Sequence, residues 1–294
     1  MSGTIDAGWL AAAAGGGLWR RIETVEATGS TNADLAAAAR AGEPGGRVLV
    51  ADYQGSGRGR FDRAWVAPPG AAVGMSVLVR PGDDWKRLVG DDGSAGGERA
   101  SGGLSRTPRD GESGGGRVGV DDPARWLWLP LVTGLAVAGA LRESAGADAR
   151  VKWPNDVFVG GRKICGILCE RVESAAGPAA VIGMGVNTAM TREELPVPTA
   201  TSLAAEGLPS EPGPVVAAIL RHLEGWYGRW LAGENLAGPY ADACDTIGRD
   251  VRVIVSDTET VEGRACGVDA SGCLLVETDG GVRPFAAGDV VHVR

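Results

Sequence analysis

The chain of 294 residues is 44% hydrophobic and 22% charged, and its 29 Lys+Arg against 37 Asp+Glu leave a formal net charge of −8. Such a polypeptide is globular, with ample core for one large domain or one large plus one small. The acidic balance argues against a nucleic-acid coat and a polybasic membrane binder, so an anionic ligand needs a local cluster of cations. Two histidines, and five cysteines without a C-x-x-C pair, leave almost no material for His-dependent triads, multi-His metal sites or zinc. The odd thiol count fits a reduced, cytoplasmic setting.

Residues 1–20, with alanines at 11–14 and glycines at 15–17, read as a flexible N-terminal arm, and no cationic stretch makes them a signal peptide. Ser30, Thr31 and Asn32 precede a run of helix formers that ends near Gly42 and Pro44, the pattern of a polar cap opening a helix. Residues 48–53 and 73–79 predict strands, joined by a Gly- and Arg-rich segment from Gln54 to Trp65. From 83 to 122 the composition turns to Gly, Ser, Asp and Arg, too apolar-poor to offset ordering entropy; a disordered surface insertion is expected, with a functional lid as the alternative. The uncharged run 126–141 falls short of the roughly 20 residues of a membrane span and predicts a buried helix. Residues 150–153 enter a strand, and Gly160-Gly161 between 157–159 and 164–168 has the grammar of a tight hairpin. A further strand over 179–186 ends at Asn187. Residues 215–231 have helical spacing, with Ile219, Leu220, Leu223, Trp226 and Trp230 on one core-facing side. After Cys244, short β runs separated by turn residues predict a small barrel over 246–294, beside a larger unit over 21–245.

Three constellations carry chemistry. In Gly57-Arg58-Gly59-Arg60 the glycines let backbone pass close to a ligand while each Arg presents a planar fork suited to carboxylate or phosphate; the tetrapeptide alone fits equally a solvated basic turn. The chain has only three lysines, and two of them flank a hairpin: Lys152, in Lys152-Trp153-Pro154-Asn155-Asp156, and Lys163, followed by Gly166-Ile167-Leu168. A lysine ammonium stabilises a developing phosphoryl or acyl-phosphate anion, and the turn at 160–161 sets Lys163 opposite Phe158 rather than Lys152. Gly183-Met184-Gly185-Val186-Asn187 is a strand stripped of two side chains, ending in an amide that suits an adenine edge or a strand-end turn.

Taken together and in this order, with Ser30-Thr31-Asn32 and Trp65, these segments closely resemble biotin protein ligases, over roughly residues 22 to 294 apart from the insertion. The resemblance implies a mixed α/β, class II synthetase-like catalytic domain with a small SH3-like C-terminal barrel. It implies an enzyme that uses ATP to make biotinyl-5′-AMP and then joins biotin to a lysine of a biotin carboxyl carrier protein. On that basis Ser30, Thr31, Asn32 and Gln54 face the biotin head group. Arg58, Gly59 and Arg60 belong to a loop over biotin and the acyl-phosphate, with Lys163 and Gly166 in the same pocket. Trp65 shields the adenylate, Asn187 meets adenine, and Lys152 and Arg58 stabilise charge in the attack on the α-phosphate. Mg²⁺ balances the triphosphate, its protein ligands unidentified. Dimerisation in the family uses surface strands that the sequence does not single out, leaving a homodimer open.

The family commonly has Gly where this chain has Asp62, which adds negative charge near the phosphate site. A lipoate–protein ligase shares the architecture and is the enzyme alternative; a biotin-binding module that has lost transfer through Asp62 is the other. The stretch before Ser30 is too short for a helix-turn-helix, so neither nucleic acid nor membrane is an expected partner.

Overall fold

In the computed structural model, which describes residues 5–59, 63–88, 123–256 and 258–293, the β-branched and aliphatic runs of the larger unit pair into one mixed sheet. Numbered along the chain, its strands are β1 (Arg21–Thr28), β2 (Arg47–Gln54), β5 (Ala72–Val79), β6 (Ala149–Lys152), β7 (Asp156–Val159), β8 (Arg162–Val172) and β9 (Ala179–Asn187), in the spatial order β1-β2-β5-β9-β8-β7-β6. Only β1 and β2 run parallel, because between them lies a crossover helix, α2 (Thr31–Arg40), as a parallel pair requires. The remaining neighbours are antiparallel. Two short strands, β3 (Gly57–Arg58) and β4 (Ala64–Trp65), form a separate ribbon.

The two faces of the sheet are covered unequally, and this creates the site. One face lies under α4 (Trp128–Ala145), whose uncharged sequence is buried on nearly every side because α5 (Pro212–Leu231) packs over it in turn. On the opposite face α2 covers only one half, setting Leu35, Ala36 and Ala39 on Leu49, Leu78, Val172, Ala179 and Val181. The other half of that face is open.

The strands, the Gly160-Gly161 hairpin with both glycines at positive φ, and the helix over 215–231 are present as expected. Trp230 is buried, but Trp226 is only partly buried, with the Arg229 guanidinium 4.3 Å above its ring. Two expectations are corrected. The N-terminal segment is not a loose arm: alanine is the strongest helix former, Asp6 caps α1 (Ala7–Ala14), and Leu10, Ala14 and Leu18 are buried in the main core. Glu224 on α5 accepts hydrogen bonds from Gly17 N and Leu18 N. Nor does the insertion begin at 83, since residues 83–88 belong to α3 (Pro81–Leu88). There Trp85 and Leu88 pack on the core, and Asp84 is fully buried, accepting from Arg80 N and Tyr227 Oη. Burial pushes the Asp84 carboxyl above its ordinary range, against those two hydrogen bonds. Residues 89–122 of the insertion lie outside the described residues.

Beyond α6 (Ala237–Ala243), strands β10 (Asp250–Ile254), β11 (Thr260–Val268), β12 (Leu274–Thr278), β13 (Gly281–Phe285) and β14 (Asp289–His292) form an antiparallel sheet in the order β13-β12-β11-β10-β14. Among the described residues β13 and β14 do not pair, so the sheet is open where a closed barrel is expected from the sequence. Its inner side chains, among them Val251, Val253, Leu274 and Val276, join the same core as α4. Trp128 Nε1 donates to Ala270 O and Trp153 Nε1 to Gly272 O across the seam, and Trp153 N donates to Thr246 Oγ1. No helix among the described residues is long and apolar enough to cross a membrane.

Candidate active site

The open half of the sheet is a trough because its floor lacks side chains. Gly74 on β5, Gly185 on β9 and Gly166 on β8 are register partners across three adjacent strands, and Gly183 lies between Ser76 and Leu168 one row further in. At three of the four a neighbour takes the place of the absent Cβ. A Cβ on Gly74 would stand 2.3 Å from Gln54 Nε2, on Gly183 2.1 Å from Asn32 Oδ1, and on Gly185 2.5 Å from the Trp65 ring. The resulting cavity, about 510 Å³, is lined by Ser30, Thr31, Asn32, Gln54, Arg58, Gly59, Trp65, Lys163, Gly166 and Asn187. Five separate stretches of sequence therefore converge as expected. Arg60 lies outside the described residues, as does Asp62.

The inner end of the cavity is polar. Ser30 caps α2, its Oγ accepting from Ala33 N, and so turns the first residues of the helix into the trough. Thr31 N donates to Gln54 Oε1 at 2.8 Å, Ser76 Oγ donates to Asn32 Oδ1 at 2.6 Å, and Asn32 Nδ2 donates to Glu170 at 2.7 Å. Asn187 lines the same cavity, and its Nδ2 donates to Thr201 O.

The outer end is charged. Lys163 stands opposite Phe158, as the hairpin predicts, and its Nζ reaches Asp156 at 2.7 Å while its stem lies over Gly166. Lys152 is the cross-strand partner of Asp156, so the carboxylate stands between two lysines. Lys152 itself does not line the cavity; its Nζ sits 5.4 Å from the Phe158 ring centroid. Burial first, and the like charge of Lys163 with it, hold its pKa below the ordinary lysine value, against the attraction of Asp156 and Asp289. Asp289, from the C-terminal sheet, lines the mouth and accepts from Arg63 Nη2 at 2.9 Å. Among the described residues no group of three or more His, Cys, Asp or Glu is placed to hold a metal ion.

Residues 122–187 match the Biotin/lipoate A/B protein ligase family and residues 246–293 the Biotin protein ligase C terminal domain. The Biotin--[acetyl-CoA-carboxylase] ligase of Mycobacterium tuberculosis is 35% identical over 283 residues, 94% of this chain and 90% of that protein. The enzyme of the same name from Paracoccus denitrificans is 32% identical over 90% of this chain and 97% of its own. The chain belongs to the biotin protein ligase family. The ligase also shares its fold with a solved biotin protein ligase from Aquifex aeolicus in complex with biotin and ATP, with TM-score 0.66, 21% identity, and coverage of 94% and 97% of the two chains.

Three residues of the ligase's site escape the sequence reading: Ser76, Glu170 and Asp289. Ser76 is the one polar side chain in an otherwise apolar strand, and Glu170 continues the alternation Gly166, Leu168, Glu170 on the trough face of β8. Ser76 is legible as a polar interruption in a fully buried strand, whereas Glu170 lies in the partly exposed end of β8 beside Arg171. Asp289 carries no such signal, because only the docking of the C-terminal sheet brings it to the mouth.

Proposed function

We propose that this ligase activates biotin with ATP to biotinyl-5′-AMP and passes the biotinyl group to a lysine of a biotin carboxyl carrier protein or domain. The observation that carries the reading is a single trough whose inner end is a hydrogen-bonding socket and whose outer end gathers cations, in a protein of net charge −8. A carboxylate oxygen of biotin attacks the α-phosphorus, the bond to the bridging oxygen breaks, and pyrophosphate leaves. The acceptor amine then attacks the acyl carbon, losing a proton, and AMP departs. In this scheme Ser30, Thr31, Asn32 and Gln54 hold the head group, and Arg58 and Gly59, with Arg60, clamp the carboxylate and acyl-phosphate. Lys163 and Lys152 offset the charge that builds on the phosphoryl oxygens, while Trp65 covers the mixed anhydride and excludes water. Asn187 offers its amide oxygen to the exocyclic amine of adenine.

Asp156 and Asp289 are already engaged by Lys163 and Arg63, which fits a Mg²⁺ ion carried by the triphosphate rather than by a dedicated protein cage. In the same reading residues 21–245 form the class II synthetase-like catalytic unit and 246–294 an SH3-like unit, and the five unpaired cysteines suit the cytoplasm. Incubation with ATP, biotin and a biotin carboxyl carrier domain, followed by an avidin blot, tests the assignment. A labelled carrier is expected; an unlabelled carrier overturns it, and labelling with lipoate in place of biotin favours the lipoate alternative.

A further inference from the structure

We infer that Glu170, which lies outside the cavity wall, is a positioning residue that sets the direction of the hydrogen bonds in the head-group socket and thereby selects a ligand that donates N–H groups. The inference rests on the proposed function for the identity of that ligand and on proton counting for the rest.

The counting begins at Asn32. One terminal atom of its amide lies 2.7 Å from a Glu170 carboxylate oxygen and 3.3 Å from Leu168 O. Both partners only accept, so that atom is the amide nitrogen and both its protons are committed. The amide oxygen therefore accepts, and it takes the single proton of Ser76 Oγ at 2.6 Å. Ser76 Oγ, with its proton spent, accepts from Thr31 Oγ1 at 2.7 Å, which commits the proton of Thr31. Gln54 Oε1 is held by Thr31 N–H at 2.8 Å. Its second contact, 3.1 Å from Thr31 Oγ1, is left without a proton to share.

The chain Thr31 to Ser76 to Asn32 thus runs one way and ends on a carboxylate. It leaves free lone pairs on Gln54 Oε1 and Thr31 Oγ1, both on the cavity wall, with Gln54 Nε2 as the neighbouring donor above Gly74. An acceptor-rich end with one donor beside it complements a cyclic urea, which has two N–H groups and one carbonyl, and offers nothing to a dithiolane. Without the carboxylate only the longer bond to Leu168 O, at 3.3 Å, holds the Asn32 amide in this sense, and the preference of the socket weakens. The same carboxylate lies 3.8 Å from Arg58 Nη2, so the variants must separate the two contacts.

The test measures biotin-dependent ATP–pyrophosphate exchange. Glu170→Leu is expected to raise the KM for biotin about tenfold, the scale of one lost hydrogen bond to a charged group, while kcat and the KM for ATP stay within about twofold. Glu170→Gln keeps an oxygen for Asn32 but not the charge for Arg58, and is expected to recover most of the loss. Ser76→Ala interrupts the chain at its middle without touching Arg58; it should reproduce the rise in biotin KM, and the double variant should lose little more than either single one. Should Glu170→Leu fail to fold, Ser76→Ala alone carries the test. An unchanged biotin KM in these variants, or an equal fall in kcat with both KM values, overturns the positioning role. Absence of exchange in the wild-type protein instead overturns the proposed function.

Discussion

Lys152 shows how position and protonation combine at a single residue. It stands one strand behind the cavity, beside Asp156, and burial lowers its pKa. A group that acts as a cation and whose pKa is lowered loses its charge earlier as pH rises. We therefore expect kcat/KM for ATP, which reports the free enzyme, to fall on the alkaline side below the range of an ordinary lysine. Lys152→Arg should give a lower but flatter profile, and Lys152→Ala should reduce adenylation about a hundredfold, as for loss of one charge-stabilising donor, with biotin affinity retained in calorimetry. An alkaline limb that persists in Lys152→Arg would refute this assignment. At this scale the sequence was informative wherever chemistry was local: Thr31, Asn32, Arg58 and Lys163 sit in short motifs whose neighbours fix their geometry. Ser76 and Glu170 were not recovered because a strand residue's role depends on which face the register gives it.

The elements explain why the trough exists at all. Aliphatic strands would normally demand cover on both faces, but the row Gly74, Gly185 and Gly166 leaves little apolar side chain to cover, and the Trp65 indole packs against Gly185. Gly185→Ala places a methyl group where the indole now rests. The fold should survive, since Trp65 belongs to a two-stranded ribbon outside the main sheet, whereas biotinyl-AMP should escape several-fold faster in a filter-release assay. Unaltered release would show that the indole does not shield the anhydride. Strands, the hairpin and α5 were legible from period and turn residues. The helix α1 was missed because a run of alanines is ambiguous until Leu10, Ala14 and Leu18 are seen to share one buried side, and α3 because its polar composition hides an Asp84 that accepts from distant Tyr227.

Across the whole molecule a single core runs from α1 through α4 and α5 into the C-terminal sheet. Trp128 and Trp153 donate across the seam to the β11–β12 turn, so removal of residues 246–294 strands two indole N–H groups and bares the apolar face of α4. Urea unfolding is expected to give one transition, coincident by near- and far-ultraviolet circular dichroism; two resolved transitions would show that the units are energetically separate. The sequence announced the second unit clearly through its change of rhythm after Cys244, yet gave no sign of how it docks, because that depends on tryptophans more than a hundred residues earlier.

Asp289 reaches the cavity mouth from a strand that lies outside the sheet forming the floor. A chimera that grafts the last fifty residues of a relative onto this enzyme would therefore not exchange a passive appendage. It would rewrite part of the doorway, and with it the charge that an incoming nucleotide first meets.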